Sequence, residues 1–201
     1  YHHFDFNDLF NSVCKTLEHK AKNSVYYNFK EIGNTACYVY GDYYRIKQIM
    51  INLVSNAIKF TDDGEIKISY SKTESNGMVK INFSVCDSGI GVKENKEDLL
   101  FKPFSQLHEF KDSSKGTGLG LTISKNLIEL MGGEIAYRPN AINGCTFFFE
   151  IELPIGAEKE IFNDKKKKSS VVQINLSSRL LIAEDNEINQ LLIKTIFNNW
   201  G

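Results

Sequence analysis

Asp87-Ser88-Gly89-Ile90-Gly91-Val92 and Lys115-Gly116-Thr117-Gly118-Leu119-Gly120-Leu121 set two glycine-rich turns on either side of a phenylalanine-rich loop. Glycine lets backbone approach a ligand closely and take positive φ, and the apolar run opening at Leu119 reads as a helix whose first N–H groups can face phosphates. One such turn would be weak evidence, because glycine turns are common at strand ends. Two of them, joined to an asparagine-bearing helix upstream, point to a nucleotide. Asp87 can accept a hydrogen bond from an exocyclic purine amine and would repel a carbonyl in the same place, which separates adenine from guanine. Capping of its own Asp-Ser-Gly turn accounts for Asp87 equally well.

From Tyr43 to Phe60, Ile46, Ile49, Met50, Leu53, Val54, Ala57 and Ile58 recur at helical spacing and predict one continuous core-facing stripe. At about 100° per residue, Arg45, Asn52, Asn56 and Lys59 fall together on a narrow polar strip beside it. An Asn carbonyl oxygen is a neutral ligand that Mg²⁺ accepts when triphosphate already balances most of its charge. Asn56 is the candidate metal ligand, Asn52 lies one turn before it, and Lys59 adds a point charge for a terminal phosphate. Solvation of an exposed helix face explains the strip as readily.

The elements that must position these residues follow from local pattern. Phe4-Asp5-Phe6 reads as a short strand, Asn7 or Asp8 as an N-cap, and Leu9 to His19 as an amphipathic helix. Val25 to Ile32 and Ala36 to Tyr40 are rich in β-branched and aromatic residues. Gly64 to Lys72, with Ile66, Ile68 and Tyr70 inward, and Val79 to Cys86 both alternate, and Ser75-Asn76-Gly77 between them predicts a hairpin. Asp87 then lies just off the end of a central strand. Leu119 to Met131 predicts a second long helix ended by Gly132-Gly133, and Glu134 to Arg138 and Thr146 to Leu153 predict closing strands. The fold class is α+β, a two-layer sandwich in which helices cover one face of a mixed sheet.

Twenty-four basic and 25 acidic residues nearly cancel, so nothing in the balance of charge attracts nucleic acid. A hydrophobic content of 42% suits an ordinary globular chain. No apolar run approaches the roughly 18 residues of a membrane span and no secretory leader is evident, so the expectation is a soluble, cytoplasmic piece without membrane insertion of its own. Cys14, Cys37, Cys86 and Cys145 are dispersed without a Cys-x-x-Cys pair, which predicts buried thiols in a reducing compartment. His2 and His3 fit a tag or frayed terminus better than a metal site.

Asn52 to Thr61 (NLVSNAIKFT) resembles the N box of sensor histidine kinases, Asp87 to Gly91 their G1 box, Phe101 to Gln106 (FKPFSQ) their F box, and Gly116 to Gly120 their G2 box, all in the family's order. The resemblance runs over about Phe4 to Pro154, and the F box sets it apart from the gyrase, chaperone and mismatch-repair branches of the same ATP-binding superfamily. It implies the Bergerat fold and places ATP between the helix layer and the loops at its edge. It favours Asp87 as the adenine-recognising carboxylate, with Gly89 and Gly91 passing close to the base. Gly116, Thr117, Gly118, Leu119 and Gly120 would line the phosphates. Thr146 matches a position where the superfamily often has a hydroxyl near adenine. The stretch Pro103 to Gly118, too irregular for a regular element, resembles the ATP lid. Lys115 within it is either a phosphate contact or a solvated loop lysine. Phe101 and Phe104 either anchor the loop or help a partner domain engage.

The family reading implies Mg²⁺-ATP as cofactor and substrate, with Asn52, Asn56 and Lys59 balancing charge during transfer of the γ-phosphoryl group to histidine. No segment resembles the H box that carries the accepting histidine, and His19 and His108 lack its surroundings. The acceptor is expected on a separate dimerisation domain of the same parent, which would be a homodimer and could be membrane-anchored.

Residues 1–155 form the expected catalytic domain and 156–178 a charged linker containing Lys165 to Lys168, read as a solvated tether. Arg179 to Asn189 (RLLIAEDNEIN) resembles the opening strand and acidic loop of a receiver domain, with Gln190 to Trp200 as its first helix, so the parent resembles a hybrid kinase. Glu184 and Asp185 would be half a Mg²⁺ site. A lone strand and helix cannot bury both faces of a parallel sheet, so 179–201 is expected to dock on a neighbour or pack irregularly. Two other functions compete: an ATPase clamp or chaperone of the same superfamily, and a nucleotide-binding regulatory module without phosphotransfer.

Overall fold

Phe6, Leu9, Phe10 and Val13 repeat at helical spacing, and the chain becomes helical as soon as they begin: strand β1 (His2–Asp5) leads directly into α1 (Phe6–Glu18). The helix therefore starts earlier than its sequence punctuation suggested. Its cap is Asp5, not Asn7 or Asp8, because the apolar stripe reaches back to Phe6 and extends the helix past both. Asp5 Oδ1 accepts the Asn7 N–H at 2.9 Å and that of Cys37 at 3.1 Å, so one carboxylate caps α1 and ties it to the next segment. A computed structural model describes residues 1–18, 25–32, 36–92, 96–105, 118–158, 160, 161, 190 and 193. The chain divides into two compact units, 1–167 and 168–201. The receiver-like strand, its following helix apart from residues 190 and 193, and residues 159 and 162–178 of the linker lie outside the described residues.

Strand β3 (Tyr38–Gly41) pairs antiparallel with β1 and leads into α2 (Tyr43–Phe60), capped by Asp42, whose Oδ1 accepts the Arg45 N–H at 3.1 Å. The buried residues of α2 are Ile46, Ile49, Met50, Leu53, Val54, Ala57 and Ile58, the whole predicted stripe. The main sheet runs β2-β4-β5-β7-β6, built from β2 (Val25–Ile32), β4 (Gly64–Ser75), β5 (Met78–Asp87), β7 (Cys145–Pro154) and β6 (Glu134–Pro139). Among the described residues only β2 and β4 pair parallel, and α2 lies in the crossover that a parallel pair requires. Asn76 (φ 51°) and Gly77 (φ 77°) form the two-residue β4–β5 turn, both in the left-handed region that such hairpins select. Helix α3 (Gly120–Leu130) and α2 both contact this sheet, and they contact each other.

Alternation puts Ile66, Ile68 and Tyr70 of β4, Ile81, Phe83 and Val85 of β5, and Phe147, Phe149 and Ile151 of β7 under the helices. Aromatic rings knit the two layers: Phe6 and Phe10 each lie 5.0 Å from Tyr70, and Phe83 stacks on Phe149 at 5.1 Å. The Tyr70 hydroxyl, buried among them, donates to Asn7 Oδ1. The opposite sheet face is polar, with Ser69 and Ser84 hydroxyls 2.8 Å apart and Lys80 paired to Glu150 at 2.5 Å. The result is an α+β sandwich with helices on one side of a mixed sheet. Among the described residues no helix is long and apolar enough to cross a membrane.

Candidate functional site

Asp87 closes β5 and is only 4% exposed. Strand alternation continues the inward phase of Phe83 and Val85 to it, so the fold carries a carboxylate where the stripe would otherwise place an apolar residue. Its Oδ1 accepts the Gly89 N–H at 3.0 Å and the Cys145 N–H at 3.4 Å, and its Oδ2 accepts the Cys145 thiol at 3.2 Å. Burial pushes the Asp87 carboxyl above its ordinary range, while these three donors pull the other way. Burial, and the adjacent Asp87, push the Cys145 thiol far up, so it keeps its proton and remains a donor.

Behind the carboxylate, Asn140 Nδ2 donates to the Asp87 carbonyl at 2.7 Å, and Asn140 Oδ1 accepts the Thr146 hydroxyl at 2.8 Å. Thr146 is thus one residue removed from Asp87, on the opposite phase of β7, and Cys145 is the residue that touches the carboxylate. Gly144 (φ 78°) packs against the same group: a Cβ there would lie 2.0 Å from the Asp87 carbonyl oxygen. Only glycine fits. Sequence reasoning missed Asn140 and Cys145 as site residues, since their roles depend on how β7 and its preceding loop sit beside β5. The inward phase of Phe147 and Phe149 was a usable signal for Cys145, because it places residue 145 on the face of Asp87.

The turn after Asp87 is fastened to the end of α2. The Ile90 N–H donates to the Phe60 carbonyl at 3.2 Å, and Ser88 links back to β4 through both its N–H and its hydroxyl. Gly91 (φ 66°) lies next to the Gly144 carbonyl. Two turns back along α2, Asn52 meets the other glycine-rich segment. Its Nδ2 donates to Ser124 Oγ of α3 at 2.9 Å, and a Cβ on Gly120 would sit 2.2 Å from its Oδ1. Asn56 lies one turn from each of these contacts. Lys59 holds its ammonium 4.7 Å from the Phe60 ring centroid. Helix α2 therefore joins the Asp87 turn at its C-terminal end to the start of α3 at Asn52, with Asn56 and Lys59 between or beside them.

Gly118 (φ 71°) packs on the backbone of Phe104 and Ser105, and Leu119 precedes α3. Lys115, Gly116 and Thr117, with most of the lid-like stretch, lie outside the described residues. The two F-box phenylalanines part company. Phe101 is held by the Thr122 hydroxyl on its carbonyl at 3.0 Å, by the Phe147 ring at 6.5 Å and by Lys125 over its face at 5.6 Å. Phe104 is 74% exposed with φ 60°. Just before them, the Tyr137 hydroxyl donates to Glu97 at 2.9 Å, and burial with that bond pushes the phenol up to about 12.

A groove of about 480 Å³ runs between α2 and α3, lined in part by Tyr44, Ile51, Asn52, Gly120 and Ile123. It borders Asn52 but does not reach Asp87. Among the described residues no group of three or more His, Cys, Asp or Glu side chains gathers as metal ligands. A cation drawn to this site would meet side-chain amides, which suit Mg²⁺ carrying its own anionic ligand.

The family model described as "Histidine kinase-, DNA gyrase B-, and HSP90-like ATPase" matches residues 41–155. Autoinducer 2 sensor kinase/phosphatase LuxQ of Vibrio vulnificus is 35% identical over 161 residues, covering 79% of this chain and 19% of that protein. The chain spans less than a third of the length of the curated relatives it matches. Full-length ShkA in complex with AMPPNP superposes with a TM-score of 0.64 at 27% identity, covering 77% of this chain and 31% of that one. The catalytic domain of histidine kinase ThkA, in a nucleotide-free form, gives 0.59 at 35% identity, covering 75% of this chain and 95% of that domain.

Proposed function

This chain belongs to the histidine kinase-, DNA gyrase B- and HSP90-like ATPase family, and we propose that it binds Mg²⁺-ATP and supplies the γ-phosphoryl group to a histidine on a separate dimerisation domain in a two-component phosphorelay. The observation that carries this reading is a buried carboxylate at a strand end whose turn is fastened by the Ile90–Phe60 bond to the asparagine helix, the same helix that Asn52 ties to α3 through Ser124. Purine recognition and phosphate handling then share one rigid support. The likeness to sensor kinases supports histidine as the acceptor.

Asp87, ionised, accepts the exocyclic amine of adenine while Gly89 and Cys145 donors hold the charge in place. Asn56 would offer its amide oxygen to Mg²⁺, whose charge would help offset that of the phosphate tail. Asn52, anchored to Ser124, steadies the first turn of α3, and Lys59 neutralises a terminal oxygen. Leu119 and Gly120 open a helix whose N–H groups face the phosphates, together with Gly116, Thr117 and Gly118, while Lys115 adds charge. The accepting imidazole nitrogen attacks phosphorus in line; the bond to the bridging oxygen breaks and ADP leaves with its electrons. The protein's contribution is alignment and charge balance.

On this reading 1–155 is the catalytic domain, 156–178 a tether and 179–201 the start of a receiver. The parent is a homodimeric hybrid kinase whose catalytic part works in the cytoplasm. Joining this chain to a helical domain bearing the accepting histidine, and adding γ-labelled ATP, should give acid-labile, base-stable label. Bound ATP without label would instead favour a nucleotide-sensing module.

A further inference from the structure

The Cys145 thiol does more for Asp87 than hold its charge, because it also bears on how the carboxylate is turned. An aspartate carboxyl turns about χ2 in a broad, roughly two-fold well, so burial alone does not decide which oxygen faces a ligand. Gly89 N–H and Cys145 N–H both engage Oδ1. They fix one oxygen and leave the plane of the group free to tilt about it. The Cys145 thiol on Oδ2 at 3.2 Å is the contact that fixes the plane. Both side chains are buried, at 4% and 5% exposure, so bulk solvent does not compete with this contact. Cys145 is itself held: Gly144 closes on the Asp87 carbonyl immediately before it, and Thr146 bonds Asn140 immediately after it.

We propose that Cys145 is a positioning residue for purine recognition, its thiol fixing the plane of the Asp87 carboxylate that receives the exocyclic amine. This rests on the adenine-binding reading of Asp87. A thiol donates one proton and leaves the second lone pair of Oδ2 for the ligand amine. Serine at 145 would supply an equivalent O–H, whereas alanine would leave the carboxylate with donors on one oxygen only. The effect appears in selectivity, because a tilted carboxylate still carries charge but no longer separates an amine from a carbonyl at the same purine position.

The full 201-residue chain is titrated with ATP and with inosine triphosphate, which has a carbonyl where ATP has the amine. Cys145→Ala should shrink the ATP preference by about tenfold, the size expected for one charge-assisted hydrogen bond, and Cys145→Ser should restore it. A Cys145→Ala protein with the wild-type ratio, alongside an Asp87→Asn protein that has lost it, overturns the role of Cys145 and leaves the pocket standing. If Asp87→Asn also keeps the wild-type ratio, the adenine reading itself fails. Should Cys145→Ala not fold, the S–H infrared band absent from Cys145→Ser decides the matter in the wild type. A bonded, red-shifted band that moves on adding ATP supports the role, and a band at the position of unbonded thiols overturns it.

Discussion

The carbonyl of Phe60, the last residue of α2, accepts the N–H of Ile90 at 3.2 Å and so fixes the turn that follows Asp87 to the helix that carries Asn52 and Asn56. Because backbone atoms make this link, side-chain changes in the pocket should alter binding without separating its two ends. Asn56→Asp tests this. A second anion beside the phosphate tail should weaken Mg²⁺-ATP binding by tenfold or more, on the order of 1.4 kcal/mol. Affinity for adenosine, which lacks phosphates, should stay at the wild-type value; calorimetric titration of both ligands measures the contrast, and a parallel loss for adenosine would contradict it.

Gly144→Ala forces a Cβ to within 2.0 Å of the Asp87 carbonyl oxygen at a residue with φ 78°. The strained backbone alone is worth about 1–3 kcal/mol. Thermal unfolding should fall accordingly, and nucleotide binding should fall further than stability because the shift lands on Asp87. Wild-type affinity in a folded Gly144→Ala protein would refute the packing.

Acidity gives a further contrast. Burial raises the Asp87 carboxyl, so the folded protein takes up a proton at higher pH than the unfolded chain does, and ionised Asp87 costs stability once pH rises past about 4. Asp87→Asn should therefore match or exceed wild-type stability at neutral pH, with the difference shrinking as pH falls toward 4. The same substitution should weaken ATP binding. In the wild type, ATP affinity should drop on acidification with a midpoint above the ordinary aspartate range. Paired melting curves and titrations across pH 4 to 8 read all three. An Asp87→Asn protein that is less stable at neutral pH would show that the carboxylate contributes to folding.

The two exposed-versus-buried aromatics of the sheet and loop should behave oppositely. Phe83→Ala empties a position at 0% exposure and should cost about 3–5 kcal/mol. Phe104→Gly removes as large a side chain but also relieves a phenylalanine at φ 60°, where an L-residue is disfavoured by about 1–2 kcal/mol. Its stability should stay level or rise. Chemical denaturation distinguishes the two, and a loss above about 1 kcal/mol in Phe104→Gly would show that the ring packs in solution.

Much of this architecture was legible in the chain because its signals are local. The apolar stripe of α2 and the Asn76-Gly77 turn lie within single elements, and both appear where spacing and backbone chemistry put them. The start of α1 was misplaced because Asn7 and Asp8 are good caps in isolation, while burial of Phe6 draws the helix back to Asp5. Strand phase puts Cys145 on the face of Asp87, but its contact with that residue, like that of Asn140, was not legible, for a different reason. Their contacts with Asp87 exist only once β5 and β7 pair in register, with Cys86 opposite Thr146, and no local pattern encodes that register. Lys115, Gly116 and Thr117, read as phosphate-facing from sequence, lie outside the described residues.

On the proposed function, Asp87 holds the purine and the α2 amides hold the phosphates of one and the same nucleotide. Calorimetric titration of the wild-type chain with ATP and GTP, each with Mg²⁺, tests it most directly. Saturable ATP binding is expected, with GTP weaker by at least tenfold, about 1.4 kcal/mol, and that preference should be lost in Asp87→Asn. Equal binding of both nucleotides, or none of either, would contradict it.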